Sequence, residues 1–287
     1  MVNKKLEEYS KQGDKTKFTE TFNELKEFFT QAINSEKYKF NIYLQGSYGN
    51  DTNIQKESDV DIVIELTNVF YSNKKSLTPE QREDFDSKYS KSSISVHDFK
   101  LHILNILKNT KKYSYSEKNK CIKIISGTLL NADIIVCASY RYFYRCPKYF
   151  EGITFFDKNG KQIISYPKLH KNNMTEKNKR VPDFKATVRI FKNLKIELIN
   201  DNYINEENIS SYFVESLIYN IDEKYFIISN LKDRVLGIIS FALNFIETKE
   251  MITPCGRYYL FGKDDDEWTK EDAIAFLINA YILVGGS

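Results

Sequence analysis

Apolar residues recur along the chain with two spacings, and these spacings separate helical from extended segments. A period near 3.6 residues places one face of a segment against a core and predicts an amphipathic helix. That period is found at residues 16–33, 79–107 (with a serine-rich break), 183–199, 210–221, 231–246 and 270–283. Short runs that are apolar throughout, or that alternate with polar residues, predict strands at residues 41–45, 59–66, 121–126, 129–136 and 152–166.

Turn residues join the predicted strands into hairpins. Residues 121–126 and 129–136 flank Gly127, and residues 152–166 contain Asn159-Gly160, a strong short-range hairpin signal. Beyond Pro167 the pattern becomes helical. The order of elements predicts an α+β fold with a mixed sheet, in which residues 1–170 form a lobe with the sheet and residues 171–287 form a helical lobe.

Polar residues interrupt the first predicted strands in an informative way. Gln45-Gly46-Ser47 ends the strand at residues 41–45, and such a turn can offer backbone N–H groups to a polyphosphate. Asp59 and Asp61 begin the next strand and leave it on the same face, because side chains alternate along a strand. Two carboxylates on one face can hold divalent metal ions for a displacement at phosphorus.

A third carboxylate is expected from another apolar run. Asp133 lies in the predicted strand at residues 129–136, where a buried acid is unfavourable unless it faces a ligand or water. Asp98, in a predicted helix, and Asp157, in a turn, are weaker alternatives. The sequence therefore predicts a metal-dependent site for nucleotidyl transfer built on Asp59, Asp61 and Asp133.

Composition limits the class of protein without changing this picture. The 287 residues are 41% hydrophobic and contain no apolar run long enough to span a membrane, so a cytoplasmic protein without membrane partners is expected. The four cysteines are spaced neither as a zinc site nor as a disulfide framework. Residues 1–200 carry 35 Lys and Arg against 24 Asp and Glu, whereas residues 201–287 carry 7 against 15. The first part should attract polyanions.

A basic stripe is expected on the helix at residues 183–199. Lys185, Arg189 and Lys192 fall beside the apolar face at helical spacing, where they could meet phosphate. A solvated cationic face is the alternative that the residues leave open.

These motifs resemble a known superfamily. Gly46-Ser47, the Asp59 and Asp61 pair and Asp133 are similar to the motifs of polymerase-beta-type nucleotidyltransferases. The segments 189–194 and 209–217 resemble the paired helices of the oligoadenylate synthetase and cGAS branch. The overall resemblance is to the bacterial cGAS/DncV-like nucleotidyltransferases (CD-NTases), and it implies a bilobal polymerase-beta-like fold.

The resemblance also implies residue roles. Asp59, Asp61 and Asp133 would ligate two Mg²⁺ ions, with Mn²⁺ as an alternative. The donor nucleotide would be bound from both lobes by Gln45, Gly46, Ser47, Arg189, Lys192, Ser211 and Tyr212, with Tyr212 stacked on a base. The segment after Pro167 would cross the cleft and read base edges with His170, Asn172 or Asn173, although a plain surface connection is the simpler interpretation.

The activity implied is condensation of ribonucleoside triphosphates, ATP among them, into a cyclic di- or trinucleotide. This product would act as a second messenger on a separate effector in anti-phage (CBASS) signalling, with an activating nucleic acid or regulatory protein left open. The alternatives are a nucleotidyltransferase acting on an RNA 3′ end, an antibiotic or a protein, and a catalytically silent nucleotide or RNA sensor. The tail at residues 284–287 is expected to be frayed.

Overall fold

The chain forms two compact units, and each unit is built from more than one segment of the sequence. We analysed a computed structural model, which describes residues 2–55, 59–262 and 268–285. One unit, here called the sheet unit, comprises Asp14–Tyr48 and Ser58–Lys168. The other, the helical unit, comprises Met1–Gly13, Gly49–Glu57 and Leu169–Ser287. The boundary at residue 170 stays a prediction, but residues 1–13 and 49–57 group with the C-terminal part of the chain.

The sheet unit contains one mixed sheet of seven strands. In chain order they are β1 (Phe40–Leu44), β2 (Val60–Asn73), β3 (Ser114–Glu117), β4 (Ile122–Ile125), β5 (Ala132–Arg145), β6 (Lys148–Phe156) and β7 (Gln162–Ser165). The spatial order is β1-β2-β5-β4-β3, and β5 also pairs with β6, which pairs with β7. The β2–β5 pair is parallel, and the other pairs are antiparallel.

Helices α2 (Thr16–Ala32) and α5 (Val96–Asn109) pack on one face of this sheet, and a short helix α3 (Gly46–Asn50) follows β1. Helix α4 (Pro79–Lys88) packs through Phe85 in a separate cluster with Phe70 and Phe143. The apolar stripe of α2, with Phe18, Leu25 and Phe29, packs in the core beside Ile62 of β2. These residues recur at helical spacing along α2, so the predicted amphipathic helix is confirmed.

The helical unit is built around α7 (Phe184–Asn200). Its other helices are α1 (Val2–Ser10), α6 (Pro167–Arg180), α8 (Ser211–Tyr219), α9 (Leu231–Thr248) and α10 (Lys270–Leu283). Phe184, Val188, Phe191 and Leu198 of α7 are all buried in its core, as their spacing predicts. Val284 is also buried in this core, so the expected fraying does not begin at residue 284, and residues 286–287 lie outside the described part of the chain.

The mixed α+β architecture agrees with the sequence prediction, and both hairpins are confirmed. The surface connection expected after Pro167 is wrong, because residues 167–180 form the helix α6. Its buried residues, His170, Met174 and Lys177, are spaced as one helical face but are mostly polar. An apolar period therefore could not be detected there. Within the described residues, no helix is both long enough and apolar enough to cross a membrane.

Candidate active site

Neighbouring strands place two of the predicted acids side by side. Asp61 of β2 is the register partner of Asp133 of β5, and Asp133 is in turn the partner of Lys123 of β4. Paired residues on adjacent strands project from the same face of a sheet. Asp61, Asp133 and Lys123 therefore form a row across three strands, and Asp59 lies two residues before Asp61, on the same side.

Gly46 fits closely against this row. Its φ is +66°, a left-handed conformation that glycine adopts without steric cost. A Cβ atom at this position would lie 2.0 Å from Asp61 Oδ2. The backbone N–H of Gln45 donates to the carbonyl of Asp61 at 3.1 Å. The Gly46-Ser47 turn is thus held directly beside an acid, as the motif predicts.

Two side chains of the β4 region, which the sequence analysis did not single out, contact the acids. Lys123 Nζ donates to Asp59 Oδ2 at 2.7 Å, and this hydrogen bond raises the pKa of Lys123. Burial, together with the charge and hydrogen bond of Asp133, raises the pKa of the Cys121 thiol to about 12. The thiol therefore stays protonated beside the acids at neutral pH.

The acid cluster fits a hard divalent cation. Its donors are carboxylate oxygens, which suit Mg²⁺ better than a soft metal. Asp133 Oδ1 is buried and has no hydrogen-bond partner among the described residues, so it retains an unused acceptor. In the ranges that the structure describes, no three His, Cys, Asp or Glu side chains are grouped closely enough to hold a metal as they stand. Asp59 is engaged by Lys123 instead.

The two alternative acids have local roles. Asp98 accepts hydrogen bonds from the backbone N–H and the hydroxyl of Ser95, at 2.9 and 2.6 Å, in a capping box that begins α5. Asp157 accepts from the N–H groups of Asn159 and Lys161 in the β6–β7 turn, at 2.9 Å each. Since both carboxylates stabilise local backbone structure, Asp133 is the best third acid in the described sheet unit.

The basic stripe of α7 is turned into the helical unit. Lys192 is 0% exposed, and its Nζ donates to the Thr52 carbonyl at 3.1 Å. Arg189 Nη1 donates to the Asp51 carbonyl at 2.9 Å, and Lys185 Nζ lies 3.2 Å from Asp51 Oδ2. The stripe therefore binds residues 51–52. A solvated cationic face is wrong for Lys192.

Glu215 of α8 is the centre of a buried polar cluster. It is 3% exposed and accepts hydrogen bonds from Asn50 Nδ2 at 2.9 Å, from His170 Nε2 at 2.9 Å and from the Thr52 hydroxyl. Lys192 Nζ lies 3.9 Å from the same carboxylate. Burial alone would raise the pKa of Glu215, but the His170 hydrogen bond and the Lys192 charge outweigh it and lower the pKa to about 2.

Ser211 and Tyr212 lie at the start of α8. Ser211 Oγ accepts a hydrogen bond from Lys195 Nζ at 3.2 Å, and Lys195 is a residue that the sequence analysis did not select. The Tyr212 ring is 4.9 Å from the His170 ring and 5.8 Å from the Trp268 ring, nearly parallel to the latter at 26°. Tyr212 is still 40% exposed. Burial of its hydroxyl raises the pKa of Tyr212.

The three candidate base-reading residues of α6 have different environments. His170 is buried and bonded to Glu215, and Asn173 Nδ2 donates to the Pro254 carbonyl at 2.7 Å. Asn172 is exposed. His170 and Asn173 are thus engaged in hydrogen bonds within the helical unit. Asn172 has the most accessible side chain of the three.

Family comparisons match both parts of the chain. Residues 24–147 match a nucleotidyltransferase domain, and residues 172–285 match the cGAS/DncV-like nucleotidyltransferase C-terminal helical domain. The cyclic nucleotide synthase CdnE01 of Staphylococcus haemolyticus is 35% identical, over 96% of this chain and 95% of the relative. The cyclic UMP-AMP synthase of Rhodothermus marinus is 32% identical, over 95% of this chain and 93% of the relative.

Solved structures show the same likeness. The structure of Rhodothermus marinus CdnE c-UMP-AMP synthase with Apcpp and Upnpp has a TM-score of 0.88 and 32% identity, and the match covers 99% of this chain and 96% of that one. Elizabethkingia meningoseptica CdnE, solved with GTP and Apcpp, has a TM-score of 0.79 and 26% identity, covering 99% and 98%. The chain therefore belongs to the cGAS/DncV-like nucleotidyltransferases, the CD-NTases, and is a nucleotidyltransferase.

Proposed function

We propose that this enzyme condenses ribonucleoside triphosphates, ATP among them, into a cyclic di- or trinucleotide and releases pyrophosphate. The observation that carries the proposal is the register pairing of Asp61 with Asp133 beside Gly46, on a chain whose relatives are cyclic nucleotide synthases. Three retained acids argue against a silent sensor, because loss of one metal ligand is the simplest way to lose catalysis.

Asp59, Asp61 and Asp133 are the residues that would hold two Mg²⁺ ions, or Mn²⁺ in their place. When bound, such a pair stabilises the attacking and leaving oxygens of an in-line displacement at phosphorus. The residues of the chain would orient the reaction: the backbone at Gly46-Ser47 would bind the triphosphate, and the carboxylate of Asp133 would accept the proton of the attacking ribose hydroxyl. That hydroxyl oxygen bonds to the α-phosphorus of the donor, and the bond to pyrophosphate breaks. A second such step within the linear intermediate closes the ring.

For the helical unit we propose triphosphate binding near Lys195 and Ser211 and base stacking on the exposed part of Tyr212. Lys195 Nζ and Ser211 Oγ lie 3.2 Å apart and form a paired donor set. Lys192 and Arg189 stay candidates from the sequence, but their charged groups are bonded to backbone carbonyls of residues 51–52. A positioning role for these two residues therefore fits the contacts better than direct phosphate binding.

The biological role we propose is production of a diffusible messenger for a separate effector in anti-phage (CBASS) signalling, in the cytoplasm. The activity of the relatives supports it, and so does the chemistry of the product, because a closed ring has no terminal phosphate for phosphatases to remove. Cells that carry the enzyme with its effector should resist phage, and cells with Asp61→Asn should lose that resistance.

The direct test is product analysis with nucleotides alone. We expect purified enzyme, incubated with all four ribonucleoside triphosphates and Mg²⁺, to give a phosphatase-resistant product whose mass is that of a cyclic di- or trinucleotide. Asp61→Asn should nearly abolish pyrophosphate release. Asp157→Asn is a matched control, because it removes the same charge from a turn of the same unit, where an amide oxygen can also accept the N–H groups.

Two outcomes would overturn the proposal. Exclusively linear, phosphatase-sensitive products would show an extending transferase. Pyrophosphate release that leaves the nucleotide covalently attached to an added RNA, antibiotic or protein would show transfer to another acceptor.

A further inference from the structure

Lys123 is a charged residue of the acid cluster that the proposed reaction does not use. It lies on the short strand β4 between Ile122 and Ile124, which are buried on the opposite face. Alternation along the strand puts the lysine on the face of the acids, and the register makes it the direct partner of Asp133. Its position is therefore fixed by the sheet.

The ammonium of Lys123 is bonded to one acid of the cluster. Its Nζ lies 2.7 Å from Asp59 Oδ2, and the two side chains are only 27% and 32% exposed. Charges in such partly shielded positions interact more strongly than fully solvated ones. The titratable groups that act on Lys123 are Asp59, Asp133 and Cys121, and Asp61 is the next residue of the row, beside Asp133.

Three carboxylates on adjacent strands repel one another unless a cation lies between or beside them. The described residues supply such a cation from the chain itself, at hydrogen-bond distance from Asp59. A divalent ion that binds Asp59 at this oxygen competes with the ammonium for the same lone pairs.

We propose that Lys123 is the built-in counter-cation of the acid cluster, which neutralises Asp59 until a divalent ion displaces it. The proposal rests on the metal site assigned under the proposed function. It makes Lys123 a positioning residue with two effects. The lysine stabilises the acid row without metal, and it weakens the binding of free metal, so that metal binds well only together with a triphosphate that contributes further oxygen ligands.

The test is Mn²⁺ binding to the nucleotide-free protein, measured by electron paramagnetic resonance of the free ion. Lys123→Met removes the charge and keeps most of the stem. We expect it to bind Mn²⁺ about three- to fivefold more tightly than the native protein, the range that a partly exposed ion pair supplies. A non-hydrolysable triphosphate tightens Mn²⁺ binding in both proteins. In Lys123→Met this tightening should be smaller than in the native protein, by the same factor.

Two variants isolate the position and the charge. Lys118→Met removes the same charge from an exposed site just before β4 and should bind Mn²⁺ like the native protein. Lys123→Arg keeps the charge and should not tighten binding. Equal Mn²⁺ affinity in Lys123→Met and the native protein would overturn the proposal, and so would tight binding by Lys123→Arg.

Thermal unfolding in EDTA gives a readout that needs neither metal binding nor activity. Lys123→Met should melt at a lower temperature than the native protein and Lys118→Met, and added Mg²⁺ should raise its melting temperature more than theirs.

An Asp61→Asn variant separates the two proposals. If it binds Mn²⁺ as well as the native protein, the metal site itself is misassigned; if it loses Mn²⁺ while Lys123→Met changes nothing, only the role of Lys123 fails.

Discussion

At the scale of single residues, Gly46 is the most constrained position of the acid cluster. Its backbone lies in the left-handed region, and the space where a side chain would begin is filled by the Asp61 carboxylate. Both constraints exclude any other residue without local rearrangement. The hydrogen bond from the Gln45 N–H to the Asp61 carbonyl also ties the start of the Gly46-Ser47 turn to the strand that carries the acid.

We expect Gly46→Ala to abolish nucleotidyl transfer while the protein stays folded. The added methyl group would push Asp61 Oδ2 out of its position, and the backbone strain should lower the free energy of unfolding by about 1–2 kcal/mol. Pyrophosphate release and thermal melting check the two effects. Gly160→Ala is a matched control, because Gly160 has a φ of +78° and no atom within 4 Å of its missing Cβ. It should lose similar stability and retain activity; comparable activity in the two variants would contradict the interpretation of the Gly46 contact.

At the scale of elements, α7 uses its lysines in two ways. Lys192 is enclosed and bonded to the Thr52 carbonyl, whereas Lys195, one turn later, reaches the Ser211 hydroxyl on α8. Both lysines are buried, so exposure alone does not separate their roles. Their partners differ. A backbone carbonyl and a buried carboxylate indicate a structural role for Lys192, whereas Lys195 is bonded to Ser211, beside which we propose triphosphate binding.

We therefore expect different defects in the two lysine variants. Lys195→Ala should weaken binding of a triphosphate analogue. The difference in affinity between the variant and the native protein should be smaller at high salt, because salt screens the charge of Lys195 in the native protein. Lys192→Ala should lower the free energy of unfolding by about 3 kcal/mol, because it leaves Glu215 buried with one charge partner fewer. Nucleotide titration and urea unfolding distinguish them. Loss of nucleotide affinity in Lys192→Ala with unchanged stability would reverse the assignment.

The sequence predicted most elements because their apolar periods are regular. The acids could be selected because they interrupt apolar strands, and their role as metal ligands stays a prediction. The sequence missed α6, whose buried face carries His170 and Lys177. Burial of those side chains depends on partners far along the chain, such as the carbonyls of residues 219 and 221 that bind Lys177. Lys123 did carry a signal, since alternation with Ile122 and Ile124 turns it away from the core.

At the scale of the whole molecule, Glu215 connects parts of the chain that are remote in sequence. Asn50, Thr52, His170 and Lys192 all converge on it within the helical unit. This cluster explains why residues 49–57 group with the C-terminal helices. A buried carboxylate with several partners also makes the stability of that unit sensitive to acid.

We expect this cluster to shape acid unfolding. The pKa of Glu215 falls from 4.5 to about 2 on folding, so its contribution is complete above pH 4.5 and is lost as the pH falls towards 2. The shift corresponds to roughly 3 kcal/mol at neutral pH. Glu215→Gln should therefore be less stable than the native protein at pH 7, and its urea midpoint should change less between pH 4.5 and 3. Glu247→Gln, at an exposed site of the same unit, should follow the native profile. Identical profiles in the native protein and Glu215→Gln would show that the cluster does not control acid unfolding.

The Glu215 cluster also restricts how this chain can diverge over evolutionary time. A change that removes one charge from an enclosed set leaves the other charge without compensation, which is strongly unfavourable. Thr52, Lys192 and Glu215 should consequently be inherited together, and a lineage that replaces Glu215 with an apolar residue should also have replaced Lys192. The intermediate with a single replacement would be less stable by about 3 kcal/mol and should therefore be rare.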